Sequence, residues 1–278
     1  KNVVALSSSG TKALETALKM WDFPVGSKII CPSWTFIASA QAILNAGFVP
    51  EFVDVEIENW WLDISLVKNS IINDKSIKGV VIVAPFGNIP NIQEWEELSQ
   101  DFNVKIIMDA AAASIDDLQV SKIIPTMLSL HATKTLTAGE GGLIIFDNDD
   151  YIYTFKQKIN FGLGQSEIYL QGTNAKLSDY HAAICHAALD NWHQNSNIFM
   201  NNCSRYKSNL CGTNIKFLPG FGLTRFNATC IIISPYNIND NLLSNRIFLQ
   251  NLFFLPLHLC IYKCHQIKDL LLQINFFY

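Results

Sequence analysis

Lys134 stands in "LSLHATKTLTAGEGGLII", between an apolar run that reads as a strand and a glycine-rich turn, among small and hydroxylated neighbours. Taken alone, a lysine is usually a solvated surface charge. Held in a partly dry pocket, the same amine gives up its proton more easily, becomes a nucleophile and can condense with an aldehyde as a Schiff base. Asp109 closes the apolar run of "VKIIMDAAAAS" and is followed only by small residues. Its carboxylate is either a helix N-cap or a partner for a cationic ligand group at a strand end. Gly10 and Thr11 in "SSSGTKAL" open a helical pattern. Unpaired backbone N–H groups and the helix dipole there suit a phosphate, and equally an ordinary Ser or Thr cap.

The elements that must position these groups follow from the hydrophobic periodicity. "NVVALSSSGTKALETALKMW" reads as a strand, a turn and a helix with Ala13, Leu14, Ala17 and Leu18 on its apolar stripe. "SKIICPS", "FVPEFVDV", "IKGVVIVAPFG" and "VKIIMDAA" are short β-branched runs separated by helical stretches such as "TFIASAQAILNAG" and "NIQEWEELSQDF". Near-continuous apolarity in the strands means that both faces of the sheet are covered. The expected fold class is α/β around a mostly parallel central sheet, which binds ligands at the C-terminal ends of its strands. After "GGLIIFD" the pattern changes to one long helical segment, "KLSDYHAAICHAALDNWHQNSNIFMNNCSRYKSNL", then short strands such as "ATCIIIS" and an apolar tail. The expected organisation is a large domain over residues 1–160 and a smaller C-terminal region over 161–278.

An amine for an aldehyde, a carboxylate for a cationic ring nitrogen and a phosphate cradle are together the needs of pyridoxal 5'-phosphate. The stretches "SSGTKALETAL", "PSWTFIASAQAILNAGFVPEFVDVEIENWWLDIS", "DAAAAS", "SLHATKTLTAGEGG" and "GTNAKLSDYHAAI" resemble, in order and spacing, the DegT/DnrJ/EryC1/StrS sugar aminotransferases. The resemblance is dense from residue 3 to about residue 190 and thin afterwards. It implies an aspartate aminotransferase-like fold, fold type I among pyridoxal phosphate enzymes, with a small domain that is incomplete here. A helix and part of the dimer contact that the family carries early have no counterpart in this sequence.

By the same resemblance Lys134 forms the Schiff base and then moves protons, and Asp109 pairs with the pyridine nitrogen. Gly10, Thr11 and Ser129 hold the phosphate, and Phe36 stacks on the ring, the other reading of Phe36 being a core aromatic. Asn174 reaches the phosphate of a second subunit, which implies a homodimer; its other reading is a turn residue before a helix. Many members carry Gln or His three residues after the aspartate. Here Ala112 stands in that place, so the ring hydroxyl must find another group or water. Members with histidine in place of the lysine are dehydratases, and Lys134 argues against that chemistry. The implied reaction moves an amino group from an amino acid, L-glutamate in the family, to a nucleotide-linked keto sugar, for surface polysaccharide or secondary-metabolite synthesis. Two alternatives stand beside it: a different pyridoxal phosphate reaction on a sugar, and a non-catalytic homologue that binds sugar nucleotide or a partner chain.

Composition narrows the classes further. The formal charge is -4 and the 20 lysines and arginines form no blocks, which gives no footprint for nucleic acid or an anionic membrane surface. The apolar stretch "IFLQNLFFLPLHLCIY" is interrupted by Gln250, Asn251, Pro256 and His258, so no membrane span and a cytoplasmic location are expected. Seven scattered cysteines read as buried free thiols. Cys260, Cys264 and His265 suggest a metal corner, but no second ligand pair stands at a suitable spacing, and no metal is expected. His131 and His258 read as hydrogen-bonded structural histidines, and Glu140 as a group that stabilises the "GEGG" turn.

Overall fold

The computed structural model describes residues 4–164, 170–209, 211, 212, 215–217, 221 and 231–233. Nine strands and seven α-helices are found among them: β1 (Val4–Ser7), α1 (Gly10–Lys19), β2 (Lys28–Pro32), α2 (Ile37–Asn45), β3 (Val49–Val53), α3 (Ile64–Asn73) and β4 (Ile77–Val83) come first. There follow α4 (Ile92–Phe102), β5 (Lys105–Asp109), β6 (Thr126–Ser129), β7 (Gly142–Ile145), α5 (Asp149–Lys158), α6 (Asp179–Asp190), α7 (Trp192–Asn209), β8 (Ile215–Phe217) and β9 (Ile231–Ile233). Seven strands form one sheet in the order β1-β7-β6-β5-β4-β2-β3, and β8 and β9 pair separately as an antiparallel ribbon. Strands β2 to β6 run parallel, and β7 runs antiparallel between β6 and β1.

The strands are apolar throughout because successive side chains enter two different cores. Ile106 and Met108 of β5 join one core, with Val67 and Ile71 of α3, Trp95 and Leu98 of α4, Cys185 of α6 and Trp192 of α7. Ile107, between them, joins the other, with Leu14 and Leu18 of α1, Ile43 of α2 and Phe155 of α5. The expected stripe Ala13, Leu14, Ala17 and Leu18 is fully buried in that second layer. Covering each leucine contributes about 2 kcal/mol of apolar burial.

Three local details differ from the periodic reading. The expected single long helix is two, because Asn191 caps α6 before Trp192 opens α7; the indole Nε1–H of Trp192 donates to Asp116 Oδ2 at 3.0 Å. No helix follows Asp109; the chain enters turns over 110–113, so the helix N-cap alternative for this carboxylate falls away. Phe36 is 69% exposed at the N-cap of α2, so it is not a core aromatic. His258 and the Cys260, Cys264 and His265 group lie outside the described residues. Among the described residues no helix is long and apolar enough to cross a membrane.

Candidate active site

The C-terminal ends of β4, β5 and β6 lie side by side, with Asp109 in register with Val83 on one side and Met127 on the other. Asp109 is 6% exposed. Its Oδ1 accepts the Ala111 N–H at 3.1 Å, and its Oδ2 accepts the Ser39 hydroxyl at 2.7 Å. Burial raises the proton affinity of this carboxyl above the ordinary range, opposed by the Ser39 and Ala111 donors and by the charge of Lys134.

Lys134 lies in the loop between β6 and β7. That loop is pinned by backbone bonds from Leu130 N–H to Gly141, Ala138 N–H to Leu130, Ala132 N–H to Gly139 and Lys134 N–H to His131. Its amine is half-buried, and burial lowers its proton affinity while the Asp109 charge pulls it back up. Burial pulls each of the two groups toward its neutral form, and the charge of the other opposes that pull. His131 is engaged elsewhere: Nδ1 shares a hydrogen bond with Thr133 Oγ1 at 2.9 Å and Nε2 lies 3.5 Å from Glu140 Oε1. His131 and Glu140 thus meet within the turn.

The N-terminus of α1 closes the third side. Ser9 is its N-cap and accepts the Lys12 N–H at 3.1 Å, so the ordinary cap is present and belongs to Ser9, not to Gly10 or Thr11. Gly10 is pressed against β6: a Cβ there would sit 3.1 Å from the Met127 sulfur and 3.1 Å from Ser129 Cβ. A Cβ at Gly142 would in turn collide with the backbone of Ser9 and Gly10. Bare backbone at both positions lets the helix terminus, Ser129 and the end of β7 meet. The segment before α6 docks beside this cup, since the Ala175 carbonyl accepts the Ser8 N–H at 2.8 Å and the Ser7 hydroxyl at 3.1 Å. Asn174, next in the chain, is exposed at that edge.

The structure thus brings Gly10, Thr11, Ser129, Asp109 and Lys134 to one sheet edge, with Phe36 opening the helix that carries Ser39. Ser39 and Thr35, whose hydroxyls lie 2.7 Å apart, stand beside Asp109 and were not picked out from the sequence. The available signal was a hydroxyl on the buried stripe of α2, in line with Ala42 and Ile43.

The family model of the DegT/DnrJ/EryC1/StrS aminotransferases matches residues 1–234, and the chain belongs to this family. Protein Rv3402c of Mycobacterium tuberculosis is 32% identical over 195 residues, covering 65% of this chain and 46% of that protein. A dTDP-4-amino-4,6-dideoxy-D-glucose transaminase of Shigella dysenteriae is 27% identical over 259 residues, covering 90% of this chain and 70% of that protein. The crystal structure of NtdA from Bacillus subtilis with bound cofactor PMP superposes with a TM-score of 0.73 at 22% identity, over 82% of this chain and 54% of that one, which establishes the fold. The chain spans about half the length of the first curated relatives it matches. The donor set fits pyridoxal phosphate: an amine of lowered proton affinity, a buried carboxylate, and a glycine-lined helix terminus beside a serine hydroxyl.

Proposed function

We propose that this chain carries the cofactor site of a pyridoxal phosphate-dependent sugar aminotransferase, which moves an amino group from L-glutamate to a nucleotide-linked keto sugar. The observation that carries the reading is that buried Asp109, half-buried Lys134 and the glycine-lined start of α1 beside Ser129 come together at one sheet edge. Bound pyridoxal phosphate supplies an aldehyde that takes up amino groups and a conjugated ring that accepts electrons from a breaking bond.

The residues divide the remaining work. Gly10 and Thr11 amides with the Ser129 hydroxyl bind the phosphate and orient the ring. Asp109 holds a proton on the ring nitrogen, and Phe36 covers one ring face. Lys134, tethered on a pinned loop and low in proton affinity, takes the proton from the donor's α-carbon and returns it at the other end of the exchange. A single base that takes and gives at one face suits a reaction in two symmetric halves. Asn174 serves the phosphate of the partner subunit in a homodimer, a role toward a second chain that its exposure permits.

The test is reduction with borohydride after incubation with pyridoxal phosphate, followed by peptide mapping. The expected result is label on Lys134 and none in Lys134→Ala. Glutamate-dependent amination of nucleotide-linked keto sugars, absent in the same variant, completes it. Label on another side chain, or none in the wild-type chain, overturns the assignment.

A further inference from the structure

The two oxygens of Asp109 are held differently. Oδ1 takes the Ala111 N–H from the turn that follows β5, a bond local to the strand end. Oδ2 takes the Ser39 hydroxyl, which arrives from α2, seventy positions away in sequence. Ser39 is fully buried, and its oxygen also lies 2.7 Å from Thr35 Oγ1. A serine has one hydroxyl proton, and Ser39 gives it to the carboxylate. Thr35 is therefore the donor in the second bond, and the two hydroxyls point the same way, from Thr35 to Ser39 to Asp109. Aligned hydroxyls polarise one another and strengthen the bond that ends on the charge. Packing alone gives no reason for a hydroxyl at this point of the apolar stripe, where alanine is the better helix former.

We propose that Ser39, backed by Thr35, is a positioning residue that fixes the plane of the Asp109 carboxylate and keeps it anionic, so that the cofactor's ring nitrogen stays protonated. This rests on the pyridoxal phosphate reading for its purpose, though not for its geometry. The other titratable groups around Asp109 are Lys134 on the β6–β7 loop, whose charge favours the anion, and the buried Cys31 thiol at the end of β2, which burial and Asp109 together hold protonated. Neither fixes the direction of an oxygen lone pair. The Ser39 hydroxyl does.

The test titrates the Asp109 carboxyl carbon by NMR in the cofactor-free chain, its signal identified by loss in Asp109→Asn. Ser39→Ala raises the midpoint by about one pH unit, a tenfold change in proton affinity. Thr35→Val moves it less in the same direction, and Ser39→Thr returns it toward the wild-type value. With ring-15N pyridoxal phosphate bound, the ring nitrogen of Ser39→Ala loses its proton at lower pH than in the wild type. In that variant kcat falls about tenfold while KM for the amino donor holds. Coincident midpoints in folded wild type and Ser39→Ala overturn the relay. Should Ser39→Ala not fold, the shape-preserving Thr35→Val decides, and an unshifted midpoint there also overturns it. A wild-type chain that binds no cofactor sinks the cofactor reading, while the carboxyl titration still decides the relay.

Discussion

Gly142 of β7 faces Ser129 of β6 in antiparallel register, and the backbone of Gly10 crosses directly over the bare Cα of Gly142. Two glycines in contact let the start of α1 lie directly on the end of β7. Gly142→Ala drives a methyl into main chain that cannot rotate away, and the expected cost is about 1–3 kcal/mol. Gly10→Ala meets side chains at 3.1 Å and gains roughly 0.5–1 kcal/mol of helix propensity, so stability changes little. Both variants lose affinity for pyridoxal phosphate. Urea unfolding and cofactor titration measured on the pair separate the two effects, and a Gly142→Ala chain as stable as the wild type contradicts the packing.

Burial at the site sets opposite pH signatures on stability. Asp109 has a raised proton affinity in the folded chain, so the folded state holds a proton that the unfolded state has released above its ordinary 3.8. Stability from this group is therefore present at low pH and is lost as pH rises toward the folded value. Lys134 is lowered, so the unfolded chain keeps a proton longer, and stability rises as pH climbs from the folded value toward the ordinary 10.5. In the cofactor-free protein, subtracting the Asp109→Asn profile of unfolding free energy from the wild-type one should give a curve that declines above pH 4. Subtracting Lys134→Met should give one that rises on the alkaline side. A flat difference curve for either variant argues that its group is not shifted.

Phe36 should separate folding from binding. Its ring is 69% exposed, so Phe36→Ala is expected to change stability by no more than about 0.5 kcal/mol. Loss of stacking on the cofactor ring costs about 0.5–1.5 kcal/mol, or roughly twofold to just over tenfold in affinity. Thermal unfolding without cofactor and a cofactor binding isotherm make the comparison. Equal affinity in variant and wild type removes the ring from the site.

Subunit mixing tests Asn174. If Asn174 serves the partner's site, a heterodimer of Lys134→Ala with Asn174→Ala holds one intact site, built from Lys134 of one chain and Asn174 of the other. Statistical re-assortment of the two inactive homodimers should then restore about a quarter of wild-type activity. No recovery after mixing means that Asn174 acts within its own chain or not at all.

Much of this architecture can be read from periodicity. The strand that ends at Asp109, the helix entered at Gly10 and the buried stripe of α1 were legible because apolar runs and small residues mark them locally. That Asp109 and Lys134 stand at a common edge was inferable because parallel strands bring their C-terminal ends together. The Ser39 bond was not legible, since it joins two elements seventy positions apart and nothing near Asp109 in sequence announces a hydroxyl donor. The break between α6 and α7 was hidden for another reason: Asn191 is tolerated inside a helix, and the stop depends on Trp192 reaching Asp116. Phe36 was ambiguous because aromatic residues are common both in cores and on ligands, and its exposure at a helix entrance removes only the first reading.

The place of β7 between β6 and the edge strand β1 also has a consequence for synthesis. Among the described residues β1 pairs only with β7, which lies more than a hundred residues later. Until residue 145 has left the ribosome, β1 lacks this partner and α1 lacks the part of its floor that β7 supplies. A nascent chain arrested before β7 should therefore fail to retain pyridoxal phosphate, and one arrested soon after should retain it. Contacts this distant in sequence form late and slowly, which makes the cup a late event in the life of the polypeptide.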